Sequence, residues 1–426
     1  MPAAGACRPT ESSSYQPGAD QVSRVVDAMN DVMMHDVTNP PLAARFFAYA
    51  TLAGYETLSH SDSTLRPLLR RLNQYPSIPT PTVTNYNPQL AALLAMLETA
   101  GRLQPSGRNL DSCRTSLLDD SRKKGMPDDI LTGSQKVAKT IADAVVRYAR
   151  QDGYNRLSDY PRYTPTKGEG YWYPTPPAFL SAVEPHFGQI RPFLIDSAGT
   201  YTPRPPTVFS TNKQSAFYRQ MADVCRAGQT LTSDQKASAQ FWDCNPFAVQ
   251  DAGHLQIGLK KMSPGAHWMA IAGAACRRQR ASFSRTLQVH TVLAMTLMDA
   301  FICCWAEKYR SNRIRPETVI RQYIDPDWKP LLQTPPFPEY VSGHSVISGA
   351  SAEVLTHFFG DNLAYTDSTE IGFGLAPRRF TSFRQAAQEA GLSRFYGGIH
   401  FNDSVTEGLN EGQRIGEYVV ATRLVK

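Results

Sequence analysis

Apolar residues recur at helical spacing along most of the chain, over residues 42–58, 88–103, 134–150, 215–225, 233–243, 264–277, 285–308, 344–359 and 404–425. Each stretch predicts a helix with at least one buried face, and Ser134 and Ser233 are candidate N-caps. Strict apolar–polar alternation over five or more residues is hard to find, so the pattern predicts an almost all-α protein. No segment repeats at a period of about 20 to 50 residues, which argues against a solenoid or propeller. Between the helices lie loops rich in proline and aromatic residues, the longest over residues 154–211 with "YWYPTPPAFLSAVEPHFGQIRPFL" and "YTPRPP". A loop of that length serves a site or wraps a bundle, and its large aromatics seek burial. We therefore read one helical domain over residues 26–426 with ordered crossovers, preceded by a flexible tail over residues 1–25.

Composition narrows this reading. A chain of 426 residues can bury a large core. Lys and Arg total 44 against 38 Asp and Glu, a mild excess with no basic stripe of the kind nucleic-acid binders carry. Local attraction of an anion is the better use for it. The most apolar run, "TVLAMTLMDAFICCWA", is short for a membrane span and carries Asp299 in its middle, which predicts a buried core helix. The seven cysteines form no CxxC pair and no Cys/His spacing of a zinc site. The start lacks a complete signal peptide, yet "AGAC" looks like the end of a bacterial lipoprotein signal with Cys7 as the lipidated residue. That reading puts the protein in the periplasm or outside the cell; a plain disordered terminus, with a cytoplasmic location, stays open.

Candidate chemistry concentrates in residues 285–426. "FPEYVSGHSVISGASAEVL" brings Ser342, Gly343 and His344 to a predicted helix start, where unpaired backbone N–H groups and the helix dipole favour an anion. Upstream, "EKYRSNRIRPETVIR" supplies Lys308 and Arg315 where a long helix gives way to Pro316. Downstream, "GLSRFYGGIHFNDSVTEG" supplies Arg394 and His400 around paired glycines. Three fixed cations with neutral donors suit a tetrahedral dianion such as phosphate or vanadate.

The order Lys-x6-Arg-Pro, Ser-Gly-His, Ser-Arg-x5-His resembles the three-part signature shared by type 2 phosphatidic-acid-phosphatase-like acid phosphatases and the vanadium-dependent haloperoxidases. "PPFPEYVSGH", "YWYPTPPAF" and "IRPF" are similar to the haloperoxidase side, and to its bacterial members in particular. The resemblance implies an all-α helical-bundle fold with the anion site at the ends of core helices. It also implies a vanadate cofactor whose cage phosphate would share in the metal-free form, and hydrogen peroxide and halide as substrates. His400 would bind vanadium directly, or attack phosphorus in a phosphatase. Lys308, Arg315, Arg394, Ser342 and the Gly343 amide would hold the oxygens, with Lys308 also polarising bound peroxide, and His344 would be the acid/base. Phe337 would stand near the cofactor, in a position that chloride-oxidising relatives also fill with Phe.

Departures from the pattern matter too. The phosphatase motif places an Asp four residues after the second His, where Ser404 stands here, and Asp403 lies one residue earlier, about 100° away on a helix. Ser404 or a backbone carbonyl is then the expected partner of His400. Asp299 is open to two readings: a partner of Arg394 or Arg315 behind the site, or a plain polar contact between packed helices. Three functions remain open at this level: a vanadate-dependent haloperoxidase, a metal-free acid phosphatase acting through phosphohistidine, and a non-catalytic oxyanion binder. Which halide is used, whether an organic substrate binds and whether a homo-oligomer forms are not written in these motifs.

Overall fold

The computed structural model describes residues 15–68, 70–252 and 255–422. Among them the chain forms thirteen α-helices and two short antiparallel hairpins. The N-terminal part contributes α1 (Asp20–His35), α2 (Pro40–Ser59), α3 (Pro88–Leu103), α4 (Asp111–Lys123) and α5 (Asp128–Arg150). After a long crossover come α6 (Ala216–Thr230), α7 (Ser233–Phe241), α8 (Pro264–Arg278), α9 (Phe283–Ser311) and α10 (Pro316–Tyr323). The last three helices are α11 (Gly343–Phe359), α12 (Phe383–Tyr396) and α13 (Asn402–Thr422). The hairpins are β1 (Val249–Ala252) with β2 (Leu255–Gly258), and β3 (Tyr365–Asp367) with β4 (Arg378–Phe380).

Helix α9 is the axis of the bundle, in contact with α2, α8, α11 and α13. It is long and apolar enough to cross a membrane, yet 94% of its most apolar window is buried inside the protein. Burial, and not the shortness inferred from the sequence, is therefore what identifies it as a core helix. Six cysteines are described, and all are free thiols. Cys7, considered above for lipid attachment, lies outside the described residues.

The periodic stretches fold as expected, with corrections at the ends. Ser134 is no N-cap: it lies inside α5, where its hydroxyl donates to the Ile130 carbonyl at 2.8 Å and accepts from Asn87 N–H at 2.9 Å. Thr232, not Ser233, caps α7, in a capping box with Gln235. Helix α1 begins inside the stretch expected to be a tail, and its Val22, Val25, Val26 and Met29 are buried on one face. Helix α12 was also missed, because "FRQAAQEAGLSRFY" mixes polar and apolar residues without a clear stripe.

What positions the site is the contact between α11 and α13. Gly408, Gly412 and Gly416 stand one turn apart on α13, and a Cβ at any of them would strike α11; at Gly412 it would lie 2.1 Å from the Val346 carbonyl oxygen. The close approach sets Ser342 N–H 3.2 Å from the Ser404 carbonyl, tying the start of α11 to the start of α13. Gly412→Ala is expected to destabilise the fold by about 2–3 kcal/mol, since backbone and not a flexible side chain must yield. Urea unfolding would show it as a lowered midpoint at unchanged slope.

Candidate active site

The cationic and imidazole side chains arrive from four helix ends. Lys308 is in the last turn of α9, which stops at Asn312 in the left-handed conformation (φ 51°). Arg315 follows as the residue before α10, whose first position is Pro316. Ser342 caps α11, its Oγ accepting from Ser345 N–H at 3.3 Å, so that the hydroxyl proton and the first-turn amides of Gly343 and His344 are free of intrahelical partners. Arg394 lies in the last turn of α12, and His400 follows Gly397 and Gly398, the latter at φ 75°.

Gly343, His344, Arg394 and His400 line one narrow cavity, with Phe337 and Trp305 on its apolar wall. Lys308 and Arg315 stand against the same wall, each 5.1 Å from the centroid of the Phe337 ring. All three cations are at most 1% exposed. Burial brings the Lys308 ammonium down to about 8 and Arg315 to about 10, and lowers Arg394 as well.

Arg315 donates through Nε to the Phe337 carbonyl at 2.9 Å and through Nη1 to the Ile399 carbonyl at 2.9 Å, while its Nη2 has no hydrogen-bond partner. Arg394 reaches the Ala239 carbonyl at 3.0 Å and lies 3.9 Å from Asp243. The three Lys308 protons all go to main-chain carbonyls, of Pro338, Glu339 and Val341. In this arrangement Lys308 offers an anion its charge and not a direct hydrogen bond, unlike the role expected from the sequence.

Both imidazoles are held neutral. Burial, then Arg315 and Lys308, push His400 well below the ordinary histidine value; burial, then Arg394 and His400, do the same to His344. Arg315 Nη1 lies 3.1 Å from His400 Nε2, which must therefore carry the lone pair. Its Nδ1–H points to Glu339 Oε1 at 2.9 Å, and that oxygen also accepts Phe401 N–H at 3.0 Å. The His344 ring bonds to the Trp242 backbone, and its buried Nε2 is unpartnered.

Glu339 is the residue that sequence reasoning missed. It sits in the "PPFPEYVSGH" approach, fully buried, and orients His400 where Asp403, Ser404 or a carbonyl had been considered. Ser404 Oγ is a more distant partner at 3.3 Å from Nδ1. Asp403 turns away to Arg313 (2.8 Å) and Thr207 (2.8 Å). Asp299 is likewise not brought to the site. Its carboxyl accepts the backbone N–H groups of Phe193, Leu194 and Ile195 at 2.7, 2.7 and 3.1 Å, and so fastens the aromatic crossover to α9. Burial raises it to about 7.

The residues fit a tetrahedral oxyanion. Glu339 lies near Lys308 and Arg315, Asp243 lies near Arg394, and unpartnered polar atoms of Arg315 and His344 remain beside the cavity, where an anion could take them up.

Comparison with known proteins bears on the same region. Residues 288–425 match the family described as the second helical-bundle domain of vanadium chloroperoxidase. The first bacterial vanadium-dependent iodoperoxidase superposes with a TM-score of 0.89 at 41% identity, over 95% of this chain and 96% of that one. A holo-type bacterial vanadium-dependent chloroperoxidase shares the fold at a TM-score of 0.67 and 16% identity, over 96% of this chain and 95% of that one. No curated protein matches the sequence. With a relative 41% identical along nearly its whole length, and with Gly343, His344, Arg394 and His400 of the motifs lining one cavity, the chain belongs to the vanadium-dependent haloperoxidase family.

Proposed function

We propose that the protein is a vanadate-dependent peroxidase of halides, with iodide its best substrate. The observation that carries this is the cluster of three buried cations and two neutral imidazoles around one narrow cavity, and the iodoperoxidase relative supports the choice of halide. In the overall reaction a halide gives an electron pair to one peroxide oxygen, the O–O bond breaks, and the other oxygen takes up protons and leaves as water. Vanadate, when bound, supplies a Lewis acid that polarises peroxide.

The protein's own part is positional and electrostatic. His400 carries its lone pair on Nε2, where it now faces Arg315 Nη1 and would turn to vanadium when vanadate is bound, and Glu339 fixes that tautomer. Arg315 and Arg394 would hold the oxygens of vanadate with their guanidinium donors, joined by the Ser342 hydroxyl and the Gly343 amide. Lys308 adds charge from behind the carbonyls that hold it. His344, neutral with its Nε2 free, takes and returns a proton at the peroxide. Phe337 and Trp305 keep that wall dry, which strengthens each of these interactions.

Purified protein should oxidise iodide with hydrogen peroxide only after incubation with orthovanadate, and bromide more slowly. Aryl-phosphate hydrolysis without any halide oxidation in the loaded protein would overturn the proposal.

The lowered Lys308 pKa gives a second test with an inert probe. An anion binds the charged form, so affinity for the phosphate dianion, once phosphate's own titration is taken into account, should be flat below about pH 8 and fall above it, by up to about tenfold per pH unit. Lys308→Met should bind phosphate weakly at every pH and lose that fall, as read by calorimetry.

A further inference from the structure

Beside the oxyanion cavity lies a second cluster that the halide chemistry does not use. Cys244 follows α7, His267 is on α8, and Asp367, Thr369 and Glu370 end β3 and begin the loop after it. His267 and Asp367 are at most 2% exposed, Cys244 3% and Glu370 7%. His267 Nδ1 is 3.3 Å from Cys244 Sγ and 3.4 Å from Glu370 Oε1, and the three atoms all lie within 4.8 Å of one another.

Hydrogen-bond counting shows what is missing there. Thr369 Oγ1 donates to Asp367 Oδ1 at 2.7 Å, so the contacts of His267 Nε2 with Thr369 Oγ1 (2.7 Å) and Asp367 Oδ2 (2.8 Å) both require the ring proton on Nε2. Nδ1 then faces a sulfur and a carboxylate oxygen. In the observed geometry Nδ1 makes its hydrogen-bond contact with the sulfur, and Glu370 Oε1 is left buried without a hydrogen-bond partner. A divalent cation satisfies all three at once. Tetrahedral zinc with its usual bond lengths holds S and N ligands about 3.5 Å apart, within a few tenths of an ångström of the spacing here. The back of His267 already carries the carboxylate partner that metal-bound histidines have.

We propose that Cys244, His267 and Glu370 form a zinc site. The thiolate disfavours calcium and magnesium, and zinc, having no redox chemistry, tolerates peroxide. Binding expels to solvent the Cys244 thiol proton and the Nδ1 proton of a charged His267, and S–Zn and N–Zn bonds take their places. The ion would join three separate segments of the chain. It would also stiffen one wall of the oxyanion cavity, because Cys244 lines that cavity and its neighbours Trp242 and Asp243 contact His344 and Arg394.

The test is metal content, independent of vanadate and of peroxidase activity. Wild-type protein should carry stoichiometric zinc by mass spectrometry of the elements. After chelation and cobalt addition, it should show thiolate-to-cobalt absorption in the near ultraviolet. Cys244→Ser should abolish that absorption, whereas Cys113→Ser, a thiol distant in sequence, should keep it. Glu370→Gln, close in shape and size, should retain the fold and lower zinc affinity on the order of tenfold or more. Absence of both zinc and the cobalt band from wild-type protein, or zinc retained unchanged in Cys244→Ser and Glu370→Gln, would overturn the site and leave a buried imidazole–carboxylate network.

Discussion

His400→Ala is expected to lose vanadate-dependent halide oxidation to the level of buffer. His400 combines a position on the cavity, a neutral ring and a lone pair on the nitrogen that faces Arg315. Among the described residues that line the cavity, His344 is the other imidazole. It is held by the Trp242 backbone on α7's side of the cavity. Truncation also leaves a small void and frees Glu339 Oε1 to Phe401 N–H alone, at a stability cost of roughly 1–3 kcal/mol. The variant should therefore still fold, which circular dichroism and a thermal melt would establish. Two readings separate the roles of the histidines: His400→Ala should fail to retain orthovanadate through gel filtration, whereas His344→Ala should retain it and lose turnover. Oxidation by folded His400→Ala at more than about a tenth of the wild-type rate would remove this histidine from the centre of the mechanism.

The second large effect is expected at a residue outside the family signature. Glu339→Gln should lower vanadate affinity or kcat/KM by about 10- to 100-fold, the usual consequence of removing the group that orients a metal-binding histidine. A glutamine can present its oxygen to His400 Nδ1–H only by aiming its NH2 at Arg313, whose Nη1 is 3.4 Å from the other carboxylate oxygen. The flipped amide instead donates to Nδ1 and moves the ring proton to Nε2, closing the lone pair. Asp403→Asn is the informative contrast. Its carboxylate serves Arg313 and Thr207, so it should change the same constants by no more than about threefold. A larger loss in Asp403→Asn than in Glu339→Gln would return the orienting role to the Asp position.

Much of this site was legible before any coordinates. Lys308, Arg315, Ser342, Gly343, His344, Arg394 and His400 are residue types that oxyanion chemistry requires, and their order along the chain is specific enough to be read in one dimension. The helices α2, α3, α8, α9 and α11 were legible as long, mainly apolar runs, and nearly all of their positions are buried. Reading failed where the partner of a group lies far off in sequence. Asp299 looked like a counter-ion for a nearby arginine, and its true partners are three backbone amides more than a hundred positions away.

Glu339 and His400 are 61 positions apart, and the cysteine, histidine and glutamate of the second cluster come from three segments with no metal-binding spacing among them. Sequence alone determined the helical class and singled out the candidate residues for anion chemistry, because these depend on side-chain type and local periodicity. Only the tertiary structure decided which carboxylate orients His400, where the Lys308 protons go and which groups share a buried pocket. Those outcomes rest on how closely α11 and α13 approach through their glycines and on how the crossover lies across α9, and close packing over long sequence separations leaves no periodic trace in the chain.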